Sequence, residues 1–361
     1  CVSVALAGLT AECVTTALPQ GSNPVTAVYN GDINNLTATS NTVTQVVLTG
    51  TTITLNAGNL TEARFGQTVN VGYTVSGGVA PNEGDVTVTA ARPGSTVTCT
   101  APASAGTCAL TGLVTTGPVL ADGYTVTAAY AGDANDGASA TTASQTLNVL
   151  RSNTNTALTI APVTSSPFGQ GFTLTATVTA VAPGGGIPPG TIVFLRDGES
   201  IGEVPLVGGV ATFNVPAGLA VGNYVFRAEY AQTTNYLQSF ENRNYAVTAK
   251  ATTTTITSST VNPSELGAAV GFNYTVTTTP ADTTPTGTVT LTASTGETCA
   301  NTVAAGSCSI TFETAGARTV TAAYAGDPQH AGSTSVAFAH SVNQAEQAAL
   351  VVSATPQTIA Y

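Results

Sequence analysis

The sequence predicts an all-β protein built as a run of similar two-sheet sandwiches. Three observations predict it. Apolar and polar residues alternate with period two along most of the chain, as on a strand with one buried face. Gly, Pro and Asn recur between these runs at the spacing of turns in a sandwich. Three anchor motifs return after roughly a hundred residues, the mark of an internal repeat. No segment shows helical periodicity.

The first anchor is Tyr-x-Gly-Asp: Tyr29-Asn30-Gly31-Asp32, Tyr130-Ala131-Gly132-Asp133 and Tyr324-Ala325-Gly326-Asp327, with a degenerate copy at Tyr230-Ala231-Gln232-Thr233. The second opens each unit after a Thr-rich stretch: Phe65-Gly66-Gln67, Phe168-Gly169-Gln170 and Leu266-Gly267-Ala268. The third is a glycine before an alternating strand: Gly84-Asp85-Val86, Gly190-Thr191-Ile192 and Gly287-Thr288-Val289. Between anchors the inward sets read Val69, Val71, Tyr73, Val75, then Phe172, Leu174, Ala176, Val178, then Val270, Phe272, Tyr274, Val276. Each unit yields about seven strands. The predicted limits are the back half of a unit over 1–48, complete units over 49–150, 151–249 and 250–345, and the opening strand of a further unit over 346–361. The sequence therefore reads as an excerpt of a longer array, with further repeats of the same polypeptide on either side.

Composition narrows the function classes. Charged residues are 7% of the chain and the net charge is −11. Threonine and small polar residues must make most of the wetted surface. Seven scattered arginines and the single lysine, Lys250, form no basic stripe for nucleic acid or anionic membranes. No apolar run reaches the ~18 residues of a membrane span. The six cysteines fall as Cys1/Cys13, Cys99/Cys108 and Cys299/Cys308. That spacing does not suit a metal site. It reads as three disulfides local to hairpins, which places the protein in an oxidising compartment, extracellular or at a cell surface. The unit over 151–249 has no cysteine; aligning Gly190 puts Gly202 and Ala211 at the two cysteine positions. Its hairpin carries the tight-turn pair Asp197-Gly198, and larger residues such as Phe194, Phe213 and Phe226 are expected to hold it.

The glycine-led strands "GTVTL" and "GTIVFL", the segment "GYTVTAAYAGD", and the short strand leading into "FGQ" resemble the bacterial immunoglobulin-like repeat families. The resemblance covers nearly the whole chain. It implies tandem immunoglobulin-like β-sandwiches of stalks, adhesins and domains accessory to secreted enzymes. It implies no activity, since fold and function are separate claims.

No catalytic constellation is legible. The two histidines, His330 and His340, lie far from any nucleophile elbow and read as exposed polar residues. Acidic residues are too scattered for a glycosidase pair, and no cofactor-binding motif occurs. Calcium is the one metal the Gly-Asp turns suggest, through Asp32, Asp133, Asp136 and Asp327. Calcium takes six to eight oxygens, and one turn offers at most two carboxylates, so an Asx turn is the favoured reading. A Lys–Asn cross-link is limited to Lys250. Sequons stand at Asn35, Asn59 and Asn273. The expectation is a non-catalytic structural stalk, or a fibre or sheath component whose rods self-associate. The alternative is an adhesin-type module binding a host, glycan or surface ligand, for which Tyr230, Tyr236, Phe240 and Tyr245 are the candidate aromatics.

Overall fold

In a computed structural model of the chain, residues 1–346 are described apart from 57, 59, 79–82, 117–122 and 163. The sequon at Asn59 and the opening strand expected over 346–361 thus lie wholly or almost wholly outside the described residues.

The fold is all-β, with tandem immunoglobulin-like sandwiches. Three successive stretches each fold as a three-stranded sheet facing a larger one. In the first, Thr107–Leu110, Val69–Gly77 and Thr51–Leu55 form the small sheet in that order. Glu62–Arg64, Gln145–Leu150, Tyr124–Tyr130, Asp85–Arg92 and Ser95–Pro102 form the large one. The second stretch repeats this with Thr154–Ala161, Phe172–Ala180 and Val210–Val215 against Ser165–Pro167, Ser239–Thr248, Gly222–Tyr230, Thr191–Arg196 and Glu199–Pro205. The third uses Thr252–Ser259, Ala269–Thr278 and Ser307–Thr311 against Ser264–Glu265, Phe338–Asn343, Gly316–Tyr324, Thr288–Ala293 and Thr298–Thr302. Residues 1–48 hold two short ladders, Gly21–Val25 with Val43–Val47 and Val28–Tyr29 with Ala38–Thr39.

The period-two pattern explains the packing. Along Val69–Gly77 the side chains of Val69, Val71 and Tyr73 are buried while Asn70 and Thr74 are exposed. Each stretch so treated buries its own apolar core: around Val71, Val86, Tyr124 and Tyr130 in the first, Leu174, Phe194 and Phe226 in the second, and Phe272, Leu291 and Phe312 in the third.

The Thr-rich openings have a structural use. Thr51, Thr154 and Thr252 each place a hydroxyl 2.7–3.0 Å from Ser139, Ser239 and Ser333 on the opposite sheet. The same hydroxyls donate to the carbonyls of Gly137, Leu237 and Ala331. One threonine per stretch thereby latches the edge of its sandwich.

Two of the three disulfides join the sheets rather than the arms of a hairpin, which corrects the sequence expectation for those pairs. Cys99 lies in the large sheet and Cys108 in the small one; Cys299 and Cys308 repeat the arrangement. A 3-10 turn, Ala103–Ala105 or Val303–Ala305, carries the chain across, ending on Gly106 or Gly306 in the left-handed region that favours glycine. The third bond, Cys1–Cys13, lies ahead of the first ladder.

The second stretch solves the same problem without sulfur. Phe194 faces Gly202 as Val88 faces Cys99 and Leu291 faces Cys299. Cys108 faces Val71, Cys308 faces Phe272, and the residue facing the equivalent Leu174 is Phe213. Phe213, not Ala211, therefore holds the second cysteine position. Its ring stacks on Phe194 at 5.6 Å and lies over Gly202, where an added Cβ would strike it. A phenyl ring over a glycine replaces the bridge.

Both histidines are buried, contrary to the expectation of exposed polar residues. His340 is 3% exposed. Its ring stacks on Phe312 at 5.0 Å and meets the edge of Phe272 at 5.5 Å. Its Nε2 lies 2.9 Å from Ser264 Oγ, and its Nδ1 has no partner. The inward face of the last strand sets this fate: Leu147 and Tyr245 hold the equivalent positions, opposite Tyr124 and Tyr224 as His340 is opposite Arg318.

Candidate functional site at the joints between sandwiches

The anchors recognised separately in the sequence converge where one sandwich follows another. Each sandwich begins by bridging its own Tyr-x-Gly-Asp turn. Thr49 N–H donates to Asn135 O at 2.9 Å, Ser152 N–H to Asn235 O at 2.9 Å, and Lys250 N–H to Gln329 O at 2.9 Å. The return bonds come from Gly137, Leu237 and Ala331. The turn thus sits at the end of the sandwich where the chain enters.

The Phe-Gly-Gln turn sits at the opposite end, where the chain leaves. Phe65 N–H donates to Leu150 O and Phe168 N–H to Thr248 O, both at 2.8 Å. The two ends of successive sandwiches then meet. The Phe65 ring contacts Tyr236 edge-on at 5.4 Å, and Phe168 contacts His330 edge-on at 6.1 Å. Gly185 N–H donates to Phe65 O at 3.1 Å, and Tyr236 Oη donates to Gly185 O at 3.0 Å. Gly66 is required on two counts: its φ is +77°, and a Cβ there would lie 2.5 Å from the Gly185 backbone.

The first joint adds neutral and arginine-mediated bonds. Thr115 Oγ1 donates to Asn235 Oδ1 at 3.0 Å, Arg151 Nε to Thr234 O at 3.2 Å, and Arg64 to Arg151 O at 3.0 Å. At the second joint the entry end of the third sandwich holds ion pairs of its own. Lys250, 4% exposed, pairs with Asp282, whose carboxyl is lowered by that contact. Lys250 thus meets a carboxylate and not an asparagine. His330, 2% exposed, places Nδ1 2.9 Å from Asp327 and Nε2 3.0 Å from Thr283 Oγ1.

The four aspartates singled out for calcium sit as follows. Asp133 Oδ1 accepts the N–H groups of Asn135 and Asp136 at 2.8 and 2.9 Å, and Oδ2 accepts Glu83 N–H and Tyr130 Oη at 3.0 Å. Those four donors match the lone-pair sites of a carboxylate. They hold its pKa at about 2, the Asn135 N–H acting most strongly and that of Glu83 next. Asp327 accepts Gln329, His330 and Thr286 N–H groups, each at 2.8 Å. Burial alone would raise its carboxyl, but Thr286, Gln329 and the His330 ring more than offset that and keep it well below the usual range. Burial and then the Asp327 charge push the Tyr324 hydroxyl up to about 12. Asp32 is held at about 2, chiefly by Tyr29 Oη at 2.6 Å. Asp136 is fully buried at the entry end of the first sandwich. Among the described residues no group of three or more His, Cys, Asp or Glu side chains is placed to hold a metal ion. The turns are Asx turns that also tie the Gly-led loop, through Glu83 or Thr286, to the joint.

Of the four aromatics offered for ligand recognition, Tyr230, Tyr236 and Tyr245 are buried. Phe240 is exposed, and the Arg227 guanidinium covers its ring at 3.8 Å. Sequence reasoning found Phe65, Phe168 and the turns but missed their meeting, and it missed Gly185, Asp282 and Thr283. The one available signal was the residue three places after each turn aspartate or its counterpart Thr233: Asp136, Tyr236 and His330, all buried.

Comparison with known proteins agrees with this architecture. A family model for the bacterial Ig-like domain (group 3) matches residues 158–257 and again 253–343. The chain belongs to that family. A search of curated protein sequences finds no match. Among solved structures, this Ig-like chain is similar to one from a 1.5-MDa bacterial ice-binding adhesin, at 17% identity over 83% of this chain and 98% of that one, TM-score 0.27. It is also similar to the three-domain ectodomain of mouse nectin-like molecule 4, at 12% identity over 81% of this chain and 99% of that one, TM-score 0.26. No helix among the described residues is long and apolar enough to cross a membrane.

Proposed function

We propose that this Ig-like chain is a non-catalytic structural stalk of an extracellular or cell-surface assembly. Its units over 49–150, 151–249 and 250–345 are read as rigid modules set end to end. The observation that carries the reading is the repeated joint: an aromatic from the exit turn of one sandwich seated on the entry turn of the next, at Phe65–Tyr236 and Phe168–His330. A flexible tether would need neither the contact nor the glycine that permits it. The sheet-to-sheet disulfides support an oxidising location.

Small-angle scattering tests it. A compact globule of 361 residues has a radius of gyration of roughly 21 Å. The stalk requires a value well above that, and a looser, broader distance distribution for the Phe65→Ala, Phe168→Ala double variant with unit melting unchanged. A wild-type radius near the compact value overturns the proposal.

A further inference from the structure

Sheet edges are where sandwiches pair with other chains, and natural proteins blunt them. Several edges here are blunted. The opening strands are latched by Thr51, Thr154 and Thr252. On the opening strand of the second sandwich, Glu241 accepts Leu158 N–H at 2.6 Å and Arg243 donates to Leu158 O at 3.0 Å, capping the exposed backbone with side chains. The strand Glu199–Pro205 carries Glu199 and Glu203 and pairs through a bulge at Phe194/Leu195. Thr298–Thr302 is only five residues long and follows Glu297.

Ser95–Pro102 has none of these devices and is longer than other uncharged, unbroken edges such as Val210–Val215 and Thr107–Leu110. It is eight residues long, pairs in unbroken register with Asp85–Arg92, and contains no charged side chain. Cys99, at its middle, fastens it to the opposite sheet. The direction of its free backbone groups follows from the ladder. Ala103 N–H donates to Gly84 O, and Ala131 N–H donates to Asp85 O on the other side. Alternation then turns the odd residues of Ser95–Pro102 toward their partner strand and leaves the N–H and C=O groups of Thr96, Thr98 and Thr100 facing outward.

We propose that this edge is a self-association site, at which a second copy of the chain adds the same strand antiparallel about a two-fold axis through Thr98. The assembly goes beyond the stalk reading and does not depend on it. The axis sets Thr98 opposite Thr98 and Thr96 opposite Thr100, and each facing pair exchanges two N–H···O=C bonds. No like charges meet. Arg92 flanks one end of the strand and Asp85 the other, so the axis places ends of opposite sign side by side. The result is one continuous sheet across two copies.

The test uses charge at the axis. Thr98→Lys and Thr98→Glu each place like charges directly opposite, on a side chain that is exposed and leaves the core intact. Sedimentation of the wild-type chain is expected to show a concentration-dependent dimer. Each variant should weaken it about fivefold or more, with an unchanged thermal melt. An equimolar mixture of the two should restore it, because Lys then faces Glu. A wild-type chain that stays monomeric to about 1 mM overturns the proposal. So does a dimer that both variants leave unaltered, or variants that fail to complement when mixed. Scattering at dilutions where the chain is monomeric keeps the stalk test separate from these outcomes.

Discussion

His340 makes the third sandwich sensitive to mild acid in a way the other two are not. Its imidazole is 3% exposed, boxed by Phe272 and Phe312, with Ser264 as its one hydrogen-bond partner and Nδ1 unpaired. No carboxylate pairs with it, and the residue directly opposite is the cation Arg318. Burial lowers its pKa from the ordinary value. The folded state therefore binds fewer protons than the unfolded chain. Stability is full above about pH 6.5, the unfolded pKa, and is lost as the pH falls toward the folded pKa. One proton sets the limiting slope at about 1.4 kcal/mol per pH unit. Between pH 6.5 and 5.5 the loss is at most about 1 kcal/mol, the limit in which the folded imidazole takes up no proton while the unfolded one starts half protonated. For a unit of roughly a hundred residues that caps the fall in Tm at about 4–8 °C. The comparison variant is His340→Leu, since Leu147 occupies the equivalent place in the first sandwich. Hydrogen exchange of Phe338–Asn343, followed from pH 7.5 to 5.5 and corrected for intrinsic rates, reads the third sandwich alone. Protection should fall with pH in the wild type and stay level in the variant. Equal pH dependence in both would refute the assignment to His340.

Two further outcomes follow from the packing. Phe213→Ala should destabilise the second sandwich by about 2–3 kcal/mol, less than a fully buried phenylalanine because the ring is partly exposed; Gly202→Ala should cost about 1–3 kcal/mol by overpacking the same place. Denaturant melts of both variants check this, and an unchanged midpoint for Phe213→Ala would show that the ring does not replace the disulfide. Chelator should leave the melting of the whole chain within a few degrees of the untreated protein, because backbone N–H groups already occupy the Asp133 and Asp327 carboxylates; a large drop would assign those turns to a cation.

The sequence by itself determined what is local or periodic. Alternation placed Val71, Tyr124 and Phe272 inside because the side-chain period of a strand is two, and it needs no knowledge of the partner strand. The repeat anchors showed that one unit recurs along the chain, and Gly66 and the Asp133 turn were visible because tight turns demand particular residues. Period two states that a residue points inward; it does not state which sheet carries it or what it faces. For that reason Cys99–Cys108 read as a hairpin bond until the sheet order placed its ends on opposite sheets. Ala211 was mistaken for the second cysteine position because the chain between Gly202 and Phe213 is two residues longer than its counterpart between Cys99 and Cys108. His340 looked exposed because histidine is polar, whereas the aromatic box of Phe272 and Phe312 admits a flat ring. The joints were least legible of all. Phe65 and Tyr236 lie in different units, and no spacing within either one encodes a contact made only when two finished sandwiches stand against each other.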